Sequence, residues 1–169
     1  MKQYQKNLLL ERGLCLNKLN LDMHKFVDYI VRGEGEISFP HLVECIKNKT
    51  KPTLSGIVLR NEEIIEDNGF SPLPEFSQIP FPYTIDSIND LSGKIIYYEP
   101  SRGCPYSCKY CLSGEKGRLR FKDVETVKKE LKFFSDNNVP LVKFVDRTFN
   151  ADKKRAMQIW SYISSLKTK

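Results

Sequence analysis

The chain has 169 residues, of which 40% are hydrophobic and 28% are charged, and its formal net charge at pH 7 is +6. This length suits one domain with at most a small additional piece, and the composition is that of an ordinary globular protein. No apolar run approaches the roughly 20 residues of a membrane-spanning helix, and the apolar run near the N-terminus is too short for a signal-peptide core. We therefore expect a cytoplasmic protein that does not enter the membrane.

The positive charge of the chain is spread rather than concentrated. Basic residues recur at Lys128 and Lys129 and again at Lys153, Lys154 and Arg155, on what we predict to be the outer, solvated faces of two helices. A protein that binds nucleic acid gathers its basic residues into one face or stripe. We therefore expect no nucleic-acid partner.

The first 50 residues end in a predicted strand, turn and helix. Residues 26–31 are rich in β-branched and aromatic side chains and predict a strand, and the glycines of residues 33–36 predict a turn. Ser38 and Pro40 are typical of the cap and first turn of a helix, which we expect to run to about Asn48. This order is that of the last unit of an α/β domain.

Isolated cysteine and histidine residues in this part have ordinary structural explanations. Cys15 follows a short helix predicted over residues 1–12, and with no cysteine or histidine nearby it is expected to be a small buried hydrophobic residue. His41 and Cys45 are four residues apart on or near the predicted helix, a spacing that can pair two metal ligands. Because no two further ligands are in view, we expect no metal site there.

A hairpin and a proline-rich stretch follow. Residues 54–60 and 63–66 predict two strands joined by a short turn. Prolines at high density between residues 67 and 92 oppose both helix and sheet interior and stiffen the chain. We therefore assign residues 51–92 to a hairpin and a linker between two modules.

Residues 93–169 predict two strand–helix units. Residues 94–99 form a compact apolar segment suited to a buried parallel sheet, and residues 140–145 predict the next strand. Apolar residues recur at helical spacing after each strand, and Asn150 or Asp152 can cap the last helix. The predicted core-facing residues of these two helices are Val124, Val127, Leu131 and Phe134, and then Ala156, Ile159, Trp160 and Ile163.

Three cysteines lie in one short loop directly after the first of these strands. Cys104, Cys108 and Cys111 have the spacing C-x-x-x-C-x-x-C, so three thiolates can converge on one metal centre at little cost in loop-closure entropy. The total of five cysteines is odd, which favours metal binding over a disulfide framework. A cubane of four irons usually takes four cysteines. Three ligands would leave one iron open to a small molecule, and an open metal position indicates chemistry rather than structure.

The cysteine loop begins at the carboxyl end of a predicted parallel strand, where α/β proteins bind their ligands. Asp146 and Arg147 follow the next predicted strand at the same edge. Two interpretations of these residues stay open. Either they face an active site, or Asp146 only pairs with Arg147 or caps the turn.

The cysteine loop resembles that of the radical S-adenosylmethionine (radical SAM) enzymes. The pattern Cys104-x-x-x-Cys108-x-Tyr110-Cys111, with an aromatic residue before the third cysteine, is the signature spacing of that family. Residues 98–106 resemble its cluster loop where it leaves the first barrel strand.

The resemblance extends beyond the cysteines. Residues 142–150 resemble the second barrel strand of the family and the turn after it. Residues 29–36 resemble the segment that closes the cobalamin-binding domain in the subgroup that carries one. The resemblance covers about residues 26–166.

This resemblance implies an iron–sulfur enzyme. Cys104, Cys108 and Cys111 would bind three irons of a [4Fe-4S] cluster, and Tyr110 would lie near the adenine of S-adenosylmethionine. In the family, the open iron binds the amino and carboxylate groups of S-adenosylmethionine, and an electron from the cluster breaks a carbon–sulfur bond to start radical chemistry on the substrate. The partners that it implies are a small-molecule substrate and an electron donor such as flavodoxin or ferredoxin.

The cobalamin-binding subgroup carries its histidine ligand in an Asp-x-His-x-x-Gly motif. Asp22-Met23-His24 resembles the first half of that motif, but Val27 stands at the position of the glycine. The segment also lies just before the end of the domain, where the ligand loop does not belong. We therefore interpret His24 as an ordinary surface histidine and expect the cobalamin-ligand motif to be absent.

The resemblance implies an α/β fold class in two parts. Residues 1–50 would be the C-terminal remnant of a Rossmann-like cobalamin-binding domain, and residues 93–169 the first two strand–helix units of an incomplete TIM-like radical SAM barrel. A full barrel has eight such units in about 250 residues. We therefore expect a fragment of low stability whose open sheet edges favour self-association.

Two other functions remain open from the sequence. A structural zinc site takes four ligands, so the loop would need one more from outside it. The alternative is a catalytically inactive interaction fragment in which the cysteines are vestigial. The residues that could supply a fourth zinc ligand are Cys15, Cys45, His24 and His41.

Overall fold

A computed structural model of the chain describes residues 8–11, 25–62, 64–111 and 119–166. The chain divides into two compact units, Met1–Glu75 and Phe76–Lys169, and each is a mixture of helices and strands. Within the described ranges, no helix has the length and apolar character needed to cross a bilayer.

The first unit is built on a four-stranded sheet with the strand order β1-β2-β3-β4. Strand β1 runs parallel to β2, and the pairs β2–β3 and β3–β4 are antiparallel. Its elements are β1 (Leu8–Glu11), β2 (Tyr29–Arg32), α1 (Gly35–Asn48), β3 (Ile57–Asn61) and β4 (Ile64–Asp67).

Strand β1 corrects the helix predicted over residues 1–12. Leu8 pairs with Tyr29 and Leu9 pairs with Ile30 along the edge of β2. A short apolar run is compatible with either a strand or a helix. Here its pairing with β2 makes it a strand. Cys15 and His24 lie outside the described residues.

The predicted strand, turn and helix of the first unit are confirmed, with a different helix start. Ile30 and Val31 are both buried, because successive side chains of β2 point to opposite faces of a sheet that is covered on both sides. Helix α1 begins at Gly35, and Glu34 occupies the N-cap position that the sequence assigns to Ser38. Ser38 instead lies buried inside the helix, where its hydroxyl is 3.2 Å from that of Ser71.

The predicted hairpin is also confirmed, since Arg60 pairs with Ile65 and Asn61 with Ile64 across the β3–β4 turn. Gly56, just before β3, has φ +87° and approaches Ser71 closely.

The second unit contains a two-stranded parallel sheet and a separate two-stranded antiparallel ladder. Its elements are a 3₁₀ turn (Phe76–Gln78), α2 (Ile85–Asp90), β5 (Ile96–Tyr98), β6 (Ser101–Gly103), β7 (Leu119–Phe121), α3 (Val124–Asp136), β8 (Val142–Phe144) and α4 (Lys153–Ser165).

The proline-rich stretch contains regular structure that the sequence analysis does not predict. Thr84 caps α2, and the side chains of Thr84 and Ser87 each bind the backbone N–H of the other. The ring centres of Phe81 and Tyr83 lie 5.4 Å and 5.3 Å, respectively, from the ring centre of Phe134. This stretch therefore contributes to the core of the second unit. The assignment of the ranges 1–50, 51–92 and 93–169 to domains stays a prediction.

The core of the second unit lies between the β5–β8 sheet and the helices. The predicted core residues of α3 are confirmed for Val127, Leu131 and Phe134, all of which are buried. In α4, Ile159 is fully buried, but Trp160 is half exposed, which corrects its assignment to the core. Trp160 packs instead at the rim of the core, where its ring contacts that of Phe149.

Candidate metal centre

The cysteine loop is closed at its base by the β6–β7 ladder. Ser101 pairs with Phe121 and Gly103 with Leu119, so the chain leaves this ladder at Gly103 and returns to it at Leu119. Only two residues separate the end of β5 from the start of β6. The hairpin therefore lies at the carboxyl end of β5, where the sequence predicts the cysteine loop. Its position at this edge of a parallel sheet is where α/β folds place their binding sites.

The three cysteines differ in exposure. Cys104 and Cys111 are partly buried, Cys108 is exposed, and all three are free thiols. The backbone N–H of Cys111 donates to the carbonyl oxygen of Cys108 at 3.1 Å, so these two residues share one turn. Residues 112–118 lie outside the described residues.

The three thiols are suitable metal ligands by their chemistry, but they are not gathered around one point. Among the described residues, no three Cys, His, Asp or Glu side chains are close enough together to hold a metal ion. All of residues 105–110 are exposed, so the segment between Cys104 and Cys111 can rearrange at little cost in core packing. Three thiols on one exposed loop therefore fit an iron–sulfur cluster chemically, and their role as ligands stays a prediction.

The candidates for a fourth zinc ligand that can be placed lie in the first unit. The Nε2 atom of His41 is 3.4 Å from the sulfur of Cys45, and it accepts the backbone N–H of Thr53 at 3.5 Å. This pair is already satisfied locally, as expected for a structural histidine. Within the described part of the chain, it forms no group of three possible metal ligands.

Tyr110 lies at the outer end of the described part of the loop. Its side chain is 88% exposed, and that of Tyr106 is 62% exposed. Large exposed aromatic rings are available to stack on a flat ligand. The assignment of Tyr110 to the adenine of S-adenosylmethionine stays a prediction.

Cys104 contacts a residue that the sequence analysis does not single out. Its sulfur lies 3.5 Å from the hydroxyl oxygen of Thr148, which follows β8. The contact arises because β5 and β8 are parallel neighbours, so the segments after their carboxyl ends meet at one edge. In the sequence, this contact is indicated only indirectly, by the resemblance of residues 142–150 to a barrel strand and the turn after it.

Asp146, left open by the sequence, also reaches the cysteine hairpin. Its Oδ1 atom accepts a hydrogen bond from the hydroxyl of Ser101, the first residue of β6. Burial raises the pKa of Asp146 above its ordinary value, and its hydrogen bonds only partly oppose this effect. Its Oδ2 atom is buried and has no hydrogen-bond partner among the described residues.

Arg155 holds both ends of the hairpin, which corrects its assignment to a solvated helix face. It is 6% exposed, and its Nη2 atom donates to the carbonyl oxygens of Pro100 at 3.2 Å and Lys122 at 2.7 Å. Its guanidinium also lies 4.9 Å from the centre of the Phe121 ring. Burial lowers the pKa of Arg155 from its ordinary value.

A buried charge pair joins the hairpin to α3 and β5. Lys122 Nζ lies 2.9 Å from both carboxylate oxygens of Glu130, and the hydroxyl of Tyr98 donates to Glu130 at 2.6 Å. Burial, with the hydrogen bond to Glu130, raises the pKa of Tyr98 well above its ordinary value. Glu130 directly follows Lys128 and Lys129, which are predicted to lie on a solvated face, but it is buried, because Lys122 neutralises its charge and the hydroxyl of Tyr98 binds it.

Comparisons with known proteins support the resemblance seen in the cysteine loop. No family model matches the chain. It is 32% identical over 149 residues to an uncharacterized methyltransferase of Pyrococcus horikoshii, a match that covers 79% of this chain and 31% of the relative. It is 27% identical over 142 residues to the cobalamin-dependent radical SAM methyltransferase TokK of Streptomyces tokunonensis, covering 76% of this chain and 21% of the relative.

Solved structures share the fold. The cobalamin-dependent S-adenosylmethionine radical enzyme OxsB aligns with a TM-score of 0.72 at 18% identity, over 94% of this chain and 24% of OxsB. The radical S-adenosylmethionine methyltransferase TsrM of Kitasatospora setae, solved with cobalamin and a [4Fe-4S] cluster bound, aligns with a TM-score of 0.60 at 16% identity, over 83% of this chain and 30% of TsrM.

The chain is therefore homologous to enzymes of the radical SAM family, and its relatives include cobalamin-dependent radical SAM methyltransferases. The resemblance inferred from the cysteine loop is confirmed. The chain spans about a third or less of the length of the relatives that it matches.

Proposed function

We propose that this chain is the cluster-binding part of a radical SAM enzyme. In this proposal Cys104, Cys108 and Cys111 bind three irons of a [4Fe-4S] cluster and leave the fourth iron for S-adenosylmethionine. The observation that carries the proposal is the cysteine hairpin, which lies at the carboxyl edge of the β5–β8 sheet and carries one exposed and two partly buried thiols. The cluster bound to TsrM, which has the same fold, supports it.

In this proposal the ends of the cysteine hairpin and its exposed segment have different roles. Arg155 and the pair of Lys122 and Glu130 fix the ends of the hairpin to the core. The segment that carries Cys108 is exposed and can adjust to a metal centre. When bound, the cluster would supply the electron that breaks a carbon–sulfur bond of S-adenosylmethionine. The exposed ring of Tyr110 would contact the adenine.

We extend the proposal to the architecture of a longer protein. The first unit would be the end of a Rossmann-like cobalamin-binding domain, and β5, α3, β8 and α4 would be the first two strand–helix units of a barrel. The parallel pairing of β5 with β8 supports this assignment, because barrel strands are parallel and each is followed by a helix. The names of the sequence relatives support methyl transfer as the reaction of such a protein.

Anaerobic reconstitution with ferrous iron and sulfide tests the proposal. The chain should take up about four irons and become brown, and Cys108→Ala should abolish both signs because one ligand is lost. Cys45→Ala is the matched control, since Cys45 is the described cysteine outside the loop, and it should bind iron as the wild type does. Protein that stays colourless would contradict the proposal. Zinc without sulfide in protein purified under air would favour a structural zinc module instead.

A further inference from the structure

We propose that Thr148 is a positioning residue for the metal centre, whose hydroxyl donates a hydrogen bond to the sulfur of Cys104 and raises the reduction potential of the bound cluster. This inference rests on the proposed function. It adds a residue to the centre that is not part of the cysteine motif and lies 44 positions further along the chain.

The geometry brings the two side chains together. The Oγ1 atom of Thr148 lies 3.5 Å from the sulfur of Cys104, within hydrogen-bonding range for sulfur, and both residues are partly buried. The segment that carries Thr148 is tied to β5 and turns locally. The backbone N–H of Val145 donates to the carbonyl oxygen of Tyr98 at 2.9 Å, and that of Ala151 donates to the carbonyl oxygen of Thr148 at 3.1 Å.

Of the three cysteines of the motif, Cys104 is the nearest in sequence to the β6–β7 ladder. It follows directly after Gly103, which is paired with Leu119 in the ladder. The bond from Ser101 to Asp146 ties the same strand to the segment after β8. The Cys104–Thr148 contact therefore joins two fixed parts of the unit, and it does not depend on the exposed residues 105–110.

Ligation decides which of the two atoms donates. In the free thiol, either the sulfur or the hydroxyl can be the donor. A cysteine that binds iron has lost its proton, so only the hydroxyl of Thr148 can then donate. A hydrogen bond to a ligand sulfur draws electron density from it and stabilises the reduced, more negatively charged state of the cluster. Hydrogen bonds to the sulfurs are one of the factors that set iron–sulfur potentials.

The test compares reconstituted wild type with Thr148→Val, which keeps the shape of the side chain and loses the hydroxyl, and Thr148→Ser, which keeps the hydroxyl. The one-electron reduction potential of each is measured at an electrode with mediators, where one electron enters the cluster and the thiolates stay bound. Iron and sulfide contents are measured on the same samples. Thr126→Val, at the exposed start of α3, is the control for the loss of a distant hydroxyl. Thr148→Ala replaces the valine variant if that variant is insoluble.

Thr148→Val should keep the wild-type iron content and shift the potential to more negative values, whereas Thr148→Ser and Thr126→Val should match the wild type. Equal potentials for wild type and Thr148→Val, at equal iron content, would overturn the inference and leave the proposed function intact. Loss of iron from Thr148→Val alone would also overturn the tuning role, because the hydroxyl would then be needed for ligation. A wild-type chain that takes up no iron would overturn the proposed function, and the inference with it.

Discussion

The guanidinium of Arg155 donates a hydrogen bond of 2.7 Å to the backbone carbonyl of Lys122. The same nitrogen lies 3.2 Å from the carbonyl oxygen of Pro100, which itself accepts the backbone N–H of Lys122 at 3.0 Å. Pro100 directly precedes β6, and Lys122 directly follows β7. One side chain of α4 thus fixes the point where the cysteine hairpin leaves the core and the point where it returns.

Arg155→Met should lower the free energy of unfolding of the second unit by about 1–3 kcal/mol, because a buried carbonyl that loses its charged donor keeps its desolvation cost. Urea unfolding can be followed by the fluorescence of Trp160, the single tryptophan of the chain, which packs at the rim of this core. Lys154→Met, at an exposed position of the same helix, is the control and should change little. Equal midpoints for the two variants would contradict the prediction.

Glu130→Gln should destabilise the second unit by about 3–5 kcal/mol, because it leaves the buried ammonium of Lys122 without its counter-charge. Glu125→Gln makes the same change on the same helix at an exposed pair with Lys128, and such surface pairs contribute little to stability. The two variants are compared by urea unfolding. A loss of stability in Glu125→Gln as large as that in Glu130→Gln would show that burial of the pair is not the cause.

These two charged residues mark the limit of what the sequence predicts. The cysteine spacing, most of the strands and helices α1, α3 and α4 follow from local patterns, and the structure contains them. Arg155 and Glu130 occupy helix positions that look solvated, since their neighbours in sequence are charged. Their partners are backbone carbonyls and side chains of other elements, which no local pattern identifies.

The β6–β7 ladder and the contact of Cys104 with Thr148 were missed for the same physical reason. Each strand of the ladder has three residues, too few to show an alternation of side chains. Thr148 meets Cys104 only because two parallel strands end at one edge. Short strands and contacts between distant segments depend on tertiary structure and not on periodicity.

The stability of the second unit should fall above about pH 10, in part because of Tyr98. Burial and the hydrogen bond to Glu130 raise the pKa of Tyr98, so the folded protein keeps a proton that the unfolded chain releases. This contribution to stability is fully present below the unfolded pKa and is lost above it, by up to about 1.4 kcal/mol per pH unit. Urea unfolding at several alkaline pH values should show a shallower decline for Tyr98→Phe than for the wild type. Parallel curves would contradict the prediction, and Tyr97→Phe, at an exposed tyrosine, is the control.

Asp146→Asn should make the second unit more stable at neutral pH. Burial raises the pKa of Asp146, so its favourable contribution is present below the unfolded pKa of about 4 and is lost as the pH rises through the folded pKa. The amide oxygen of asparagine can still accept the hydroxyl of Ser101, and no charge is buried. The gain in unfolding free energy over the wild type should therefore be larger at neutral pH than at acid pH. An equal gain at both, or a gain of the same size from Asp90→Asn at an exposed site, would contradict this account.

Gly56→Ala should destabilise the first unit more than Gly69→Ala does. Both glycines have positive φ, +87° and +81°, so each alanine meets a similar backbone cost of about 1–2 kcal/mol. A Cβ on Gly56 would lie 2.6 Å from both the Cα and the Cβ of Ser71, whereas no atom of the described residues lies within 4 Å of a Cβ on Gly69. The backbone of Ser71 would have to move, and its hydrogen bond to Arg32 and its contact with Ser38 would be strained.

The difference between the two glycine variants isolates the steric cost, because the conformational cost is common to both. Hydrogen exchange measured by mass spectrometry is the suitable readout, since the tryptophan of the chain lies in the second unit. Amides of β2 and β3 should exchange faster in Gly56→Ala than in Gly69→Ala, because strained contacts at Ser71 lower the free energy of local opening. Equal exchange in the two variants would mean that the Ser71 segment yields without cost and that the close approach at Gly56 does not stabilise the sheet.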